Sequence, residues 1–184
     1  MPIGDPAQPG TVIGPVIDAD AQQKILGYIE QGKKEATLAW QARLAPELTA
    51  TGGYYVPPTV FVDVKPEHVI AREEIFGPVV AVMKARDLDE AFSLANGADY
   101  ALTGGLFSRS PSALERARRE FLVGNLYLNR GITGAIVERH PFGGFKMSGG
   151  GTKAGGRDYL QNFMFPQAVA ENTLRRGFTP PEED

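Results

Sequence analysis

The run Arg72–Val80, REEIFGPVV, sets two adjacent carboxylates, an aromatic residue and a Gly-Pro pair directly ahead of two β-branched residues. A carboxylate can accept both hydrogen bonds of a vicinal diol, and bonds to an ionised acceptor are among the stronger ones. A solvated turn uses the same residue types, because glutamate pairs usually face water. From this run alone both readings stand.

Other chemistry is narrowed by what the chain lacks. Its 184 residues include no cysteine, which excludes disulfides, thiolate metal sites and a cysteine nucleophile within this chain. The two histidines, His68 and His140, each sit beside proline-containing loop sequence and read as structural. There is no H-E-x-x-H pair, and no metal site is expected. Gly149, Gly151 and Ala154 fit a loose G-x-G-x-x-A, but PFGGFKM precedes them and GGRDYL follows. A phosphate cradle needs a buried strand before the glycines and a helix after them. The glycines therefore read as a tightly turned loop needing positive φ angles.

Length and composition fit one globular domain, with 42% hydrophobic and 22% charged residues. A net charge of -3 argues against a nucleic-acid partner, so Arg116, Arg118 and Arg119 read as the wet face of a helix. No apolar run reaches the length of a membrane span, and MPIGDPAQPG has no signal-peptide core, so cytosol is expected, or an organelle matrix.

The elements that must position these residues can be read from pattern. The first seventeen residues are too rich in Gly and Pro for a regular element. Asp18 or Asp20 then caps a helix running to about Glu35, with Ile25, Tyr28 and Ile29 on its apolar face. In GGYYVPPTVFVDV the prolines suggest irregular or edge strands. PVVAVMKA reads as a strand, and DLDEAFSLANG as a helix with a cap at Asp87 to Glu90 and a stop at Gly97. GGLFSR reads as a strand. SPSALERARREF reads as a helix, with Leu114, Ala117 and Phe121 on one face and Glu115 spaced to pair with Arg119. VGNLYLNR is another strand. The alternation predicts an α/β fold: a mainly parallel sheet flanked by helices, built from βαβ units. The alternating RDYLQNFMFPQAVAENT runs into an expected final strand, and RRGFTPPEED reads as a frayed acidic end.

EEIFGPVV, GNLYLNR, PFGGFKMSG and KAGGRDYL, in that order, resemble the C-terminal part of the NAD(P)-dependent aldehyde dehydrogenase superfamily. GDPAQPGTVIGPVID extends the resemblance over essentially the whole chain. TGA at Thr133 to Ala135 and TKAGGRDYL are most similar to the 1-pyrroline-5-carboxylate dehydrogenase branch, which oxidises glutamate γ-semialdehyde to glutamate in proline breakdown.

The resemblance implies roles that the residues alone leave open. Glu74 matches the carboxylate that holds the nicotinamide ribose of NAD, and Phe76 the aromatic packed near the nicotinamide ring. Glu73 has no such match and reads as surface. Gly134 and Ala135 match an anchor loop whose backbone N–H groups hold the substrate α-carboxylate, and Phe142 an aromatic against the aliphatic part of the substrate. The family's thiolate nucleophile, general base and Gly-rich cofactor domain fall ahead of the matched region. Residues 1–160 are accordingly expected to be a partial catalytic domain without its reactive centre, and 161–184 a tail with an oligomerisation strand. Alone, the chain is expected to be inactive, to bind NAD weakly or not at all, and to form a homo-oligomer, with no nucleic-acid or membrane partner. Two alternatives are a piece of another semialdehyde dehydrogenase and a non-catalytic self-associating module.

Overall fold

A computed structural model describes residues 1–172. The N-terminal stretch is irregular, as its glycines and prolines dictate, with a single bridge between Ile3 and Ile13. Helix α1 (Ala19–Glu35) begins where the Asp18 side chain accepts from the Ala21 N–H. Ile25 and Ile29 are buried on its inner face and Tyr28 half-buried beside them. Strand β1 (Thr37–Gln41) runs antiparallel to β2 (Thr59–Val62), with α2 (Pro46–Ala50) between them. Helix α3 (Val69–Arg72) then leads to β3 (Val79–Ala81), which lies parallel to β2.

The second half holds α4 (Leu88–Asn96), β4 (Tyr100–Ala101), β5 (Thr103–Leu106), α5 (Pro111–Glu120), β6 (Asn125–Leu128) and β7 (Phe145–Lys146). Asp87 caps α4 by accepting from the Glu90 N–H, while Glu90 reaches back to the Arg86 N–H. Strands β5 and β6 are parallel, and β4 pairs antiparallel with β7. A 3-10 helix, Arg157–Phe163, follows the glycine-rich loop, where Gly149 and Gly151 do take positive φ.

Several sequence expectations need correction. Among the described residues there is no single mainly parallel sheet, but one mixed three-stranded sheet and two separate pairs. Alternating strands and helices predict parallel crossovers, and two form, β2–α3–β3 and β5–α5–β6. Alternation does not specify whether successive crossovers share a sheet. That depends on which strand edges meet. The run after Pro57 and Pro58 is the central strand β2, not an edge, because Pro58 precedes the strand and removes no ladder donor. Glu115 pairs with Arg118 at 3.0 Å instead of Arg119. Arg116 is not simply wet: it joins Glu120 to Asp89 across α4 and α5 and lies 5.5 Å over the Phe92 ring. Residues 164–172 form no ladder within the chain itself, and the expected tail strand is one that pairs with a second copy; the acidic end lies outside the described residues.

The main core joins Ile25 and Ile29 of α1 to Val56, Phe61, Val64, Ile70 and Ile75. A smaller cluster holds Phe92 against Phe121, whose ring also covers Gly104. Glu35 reaches from the end of α1 to the Ile70 N–H at the start of α3, whose own N-cap residue, His68, makes no side-chain cap bond. His68 instead accepts from the Lys65 N–H.

Gly32 is an apparent weakness in α1, since glycine in a helix interior costs about 1 kcal/mol relative to alanine. A Cβ there would stand 2.7 Å from the ring of Phe61, which is fully buried and cannot swing away. Gly32→Ala is therefore expected to lower stability by roughly 1 kcal/mol, because overpacking costs about 1–3 kcal/mol and outweighs the helix gain. Urea unfolding followed by circular dichroism reads the sign; a raised midpoint would refute this packing.

Candidate functional site

The chain leaves α3 at Glu73, whose backbone is extended. Ile75, 9% exposed, is drawn into the core, while Glu74 and Phe76 on either side of it are exposed. Gly77 presses this turn onto α1: a Cβ there would lie 2.6 Å from Ile25. Phe76 takes φ +57°, in the left-handed region that a bulky residue occupies only when its surroundings impose it. Its ring is 76% exposed.

Glu74 and Phe76 line an open groove of about 570 Å³. Across it α1 contributes Lys24 and Tyr28, one helical turn apart. The Lys24 ammonium lies 5.8 Å from the Tyr28 ring centre and 6.0 Å from that of Phe76. Pattern reading placed Tyr28 on the apolar face of α1 and missed Lys24. The signal for Lys24 was its spacing four residues before Tyr28, but its partner at Phe76 is distant in sequence. Glu73 is at the surface as expected, yet it is not idle: the Tyr28 hydroxyl donates to it at 2.6 Å. Arg72 and Asp99 form an exposed pair at 3.4 Å on the far wall, a geometry that contributes little to stability.

Gly134, Ala135 and Phe142 occur in a second region, after β6. Asn129 closes the end of the β5–β6 pair by bonding the Ser108 N–H and C=O. Arg130 lies 5.3 Å over the Tyr127 ring and donates to the Thr133 carbonyl at 3.2 Å. Gly134 takes φ +108°, a conformation that favours glycine, and a Cβ there would stand 3.0 Å from the flexible end of the Arg130 side chain. Among the described residues neither the Gly134 nor the Ala135 amide donates a hydrogen bond, and both residues are exposed. His140 forms a bridge with Ile136 and sets its ring edge-on to Tyr127 at 5.0 Å. Phe142, 39% exposed, pairs with Ala154.

The structure thus brings Glu74 to Phe76, and Gly134 and Ala135 into one loop that leads on to Phe142. It does not bring the two groups together, for the groove lined by Glu74 and Phe76 includes none of the other three. The groups of His, Asp and Glu that could hold a metal ion are absent among the described residues, and no helix there is long and apolar enough to cross a membrane.

A profile described as the aldehyde dehydrogenase family matches residues 1–169. The chain belongs to that family. It is 53% identical over 171 residues to a 1-pyrroline-5-carboxylate dehydrogenase of Geobacillus sp. (strain WCH70), and 47% identical to that of Bacillus subtilis (strain 168). Each match covers 93% of this chain and 32% of the relative, so the chain spans about a third of the length of these proteins. Among solved structures, a 1-pyrroline-5-carboxylate dehydrogenase from Thermus with bound NAD matches with TM-score 0.83 and 50% identity, over 92% of this chain and 32% of that one. A proline utilization A from Bdellovibrio bacteriovorus matches with TM-score 0.84 and 52% identity, over 98% of this chain and 18% of that one. An α/β fold of the aldehyde dehydrogenase type is therefore established for the described residues.

The Tyr28–Glu73 bond ties the turn to α1, and it raises the phenol's pKa because the bond and the carboxylate's charge both oppose ionisation. Glu73→Gln is expected to lower the Tyr28 pKa towards the ordinary phenol value. A carbon-13 titration of the tyrosine rings measures it, and an unchanged Tyr28 curve would remove this tether.

Proposed function

We propose that this chain is the segment of an NAD(P)-dependent dehydrogenase of glutamate γ-semialdehyde that supplies one edge of the nicotinamide site and the substrate-carboxylate anchor. The observation that carries the choice of substrate is the gradient of relatedness. Identity is 53% to a 1-pyrroline-5-carboxylate dehydrogenase, 38% to a γ-glutamyl-γ-aminobutyraldehyde dehydrogenase structure and 29% to a betaine aldehyde dehydrogenase structure.

The residues fit the cofactor. Glu74 offers an exposed carboxylate able to accept both hydroxyls of a ribose, and Phe76 offers an exposed ring fixed by its backbone beside it. NAD would supply the hydride acceptor there. Gly134 and Ala135 are exposed and, among the described residues, their amides are uncommitted, which leaves them able to hold a carboxylate, and Phe142 gives an apolar wall for the intervening carbons. The chain has no cysteine, so a thiolate that attacks the aldehyde must come from outside these 184 residues.

Residues 1–160 act as part of the catalytic domain and 161–184 as the tail. Met164 and Phe165 are 66% and 100% exposed, with Phe163 and Val169 also bare, which supports pairing of this segment with a second copy. The bacterial relatives support a cytosolic setting. Purified alone, the chain is expected to oxidise no glutamate γ-semialdehyde with NAD and to self-associate. Turnover surviving repurification overturns the first expectation, and a monomer by light scattering at high concentration the second.

In the full-length enzyme that carries this segment, Ala135→Leu is expected to reduce kcat/KM for glutamate γ-semialdehyde far more than for a short aldehyde without the α-carboxylate. A bulky side chain would crowd the anion away from the amides. Loss of a charge-assisted hydrogen bond costs about 1.5–3 kcal/mol, roughly ten- to a hundredfold in rate. Glu74→Gln is expected to affect both substrates alike, since they share the cofactor. An unchanged ratio for Ala135→Leu overturns the anchor assignment and leaves that of Glu74 standing.

A further inference from the structure

Lys153 is a half-buried cation with no use in the arrangement above. Its ammonium donates to the carbonyls of Gly124, at 2.5 Å, and Gly143, at 2.8 Å, and lies 5.6 Å over the Phe145 ring. Among the described residues no carboxylate pairs with it, and burial pushes its pKa below that of an ordinary lysine. Taking a charge out of water without a counter-charge is costly, so the bonds that it makes must matter to the fold or to the site.

One of those bonds holds the residue after Phe142. Asn125, 3% exposed, holds both neighbours of Phe142: its side-chain amide donates to the Pro141 carbonyl at 2.9 Å and accepts from the Gly143 N–H at 3.2 Å. The Phe142 N–H and C=O are both bonded to Ala154, at 3.0 and 2.9 Å. Every backbone polar group from the Pro141 carbonyl to the Gly143 carbonyl is therefore paired, while the Phe142 ring stays 39% exposed. Gly124 permits this crossing, because a Cβ there would overlap the Gly143 carbonyl. The backbone is fully hydrogen-bonded while part of the residue remains open to solvent.

We propose that Lys153 and Asn125 are positioning residues that hold Phe142 as a preformed wall, and so set the enzyme's preference for a substrate of the length and carboxylate placement of glutamate γ-semialdehyde. Lys153 joins the start of β6 to the residue after Phe142, and Asn125 spans Phe142 from the residue before to the residue after. This rests on the reading of Phe142 as a substrate contact. A misplaced wall weakens contact with the substrate carbons but leaves the cofactor groove at Glu74 and Phe76 untouched.

The test is a double-mutant cycle of Lys153→Met and Phe142→Ala in the full-length enzyme that carries this segment. Methionine keeps the length and apolar stem of Lys153 but removes its donors. Lys153→Met is expected to raise KM for glutamate γ-semialdehyde roughly tenfold, with kcat and the KM for NAD within about twofold. In the Phe142→Ala background the same substitution is expected to have no further effect on KM, because the wall it positions is gone. If Phe142→Ala alone leaves KM unchanged, the underlying site reading fails. If Phe142→Ala raises KM but Lys153→Met does not, or if the two effects multiply independently, the positioning proposal alone is overturned. Where Lys153→Met does not fold, Lys153→Arg, which keeps charge and donors in a bulkier head, is read through the same cycle, and independence from Phe142 again overturns the proposal.

Discussion

The seat of α1 is the contact on which the turn carrying Glu74 and Phe76 depends. Ile25 packs where Gly77 has no side chain, and Gly32 lies flat on the buried ring of Phe61. The helix is thus clamped at one point by the turn that carries Glu74 and Phe76, and at another by the central strand β2. Ile75 is drawn into the same core, and Glu74 and Phe76 on either side of it are left exposed. Glu35 extends the clamp by bonding the start of α3, so both ends of the segment leading into the turn are fixed by one helix.

The two regions that carry the proposed function are stabilised in different ways. The Glu74–Phe76 turn is held by apolar packing, and its one polar tether, Tyr28 to Glu73, lies at the surface. The Phe142 segment has little apolar cover and is held instead by a chain of hydrogen bonds from Asn125, Lys153 and Ala154. Between them Gly134 and Ala135 lie in a loop with few bonds of its own. Among the described residues no internal acceptor claims the amides of these two. Under the proposed function, this contrast suits an anchor that exchanges a ligand and a wall that holds its place.

The sequence by itself determined the local elements and the chemistry that can be carried out. Asp18, Asp87 and Gly97 mark helix ends, and α1, α4 and α5 form where periodicity placed them, because caps and apolar spacing act within a few residues. The absence of cysteine removed a nucleophile before any fold was known. Motif order carried the family, and with it Glu74, Phe76, Gly134, Ala135 and Phe142, whose residue types alone would equally have served surface turns.

What only the tertiary structure decided are the pairings between residues far apart in the chain. Strand order was one: β3 joined β2 and β5 joined β6, where alternation had suggested a common sheet. The tail run was another, since Arg157–Phe163, which alternates in sequence, winds into a 3-10 helix. Lys24 over Phe76, Tyr28 to Glu73 and Lys153 to Gly124 and Gly143 join positions separated by up to 52 residues. No local spacing rule encodes such contacts, because their energy is gained only once the chain has folded and brought the partners within reach.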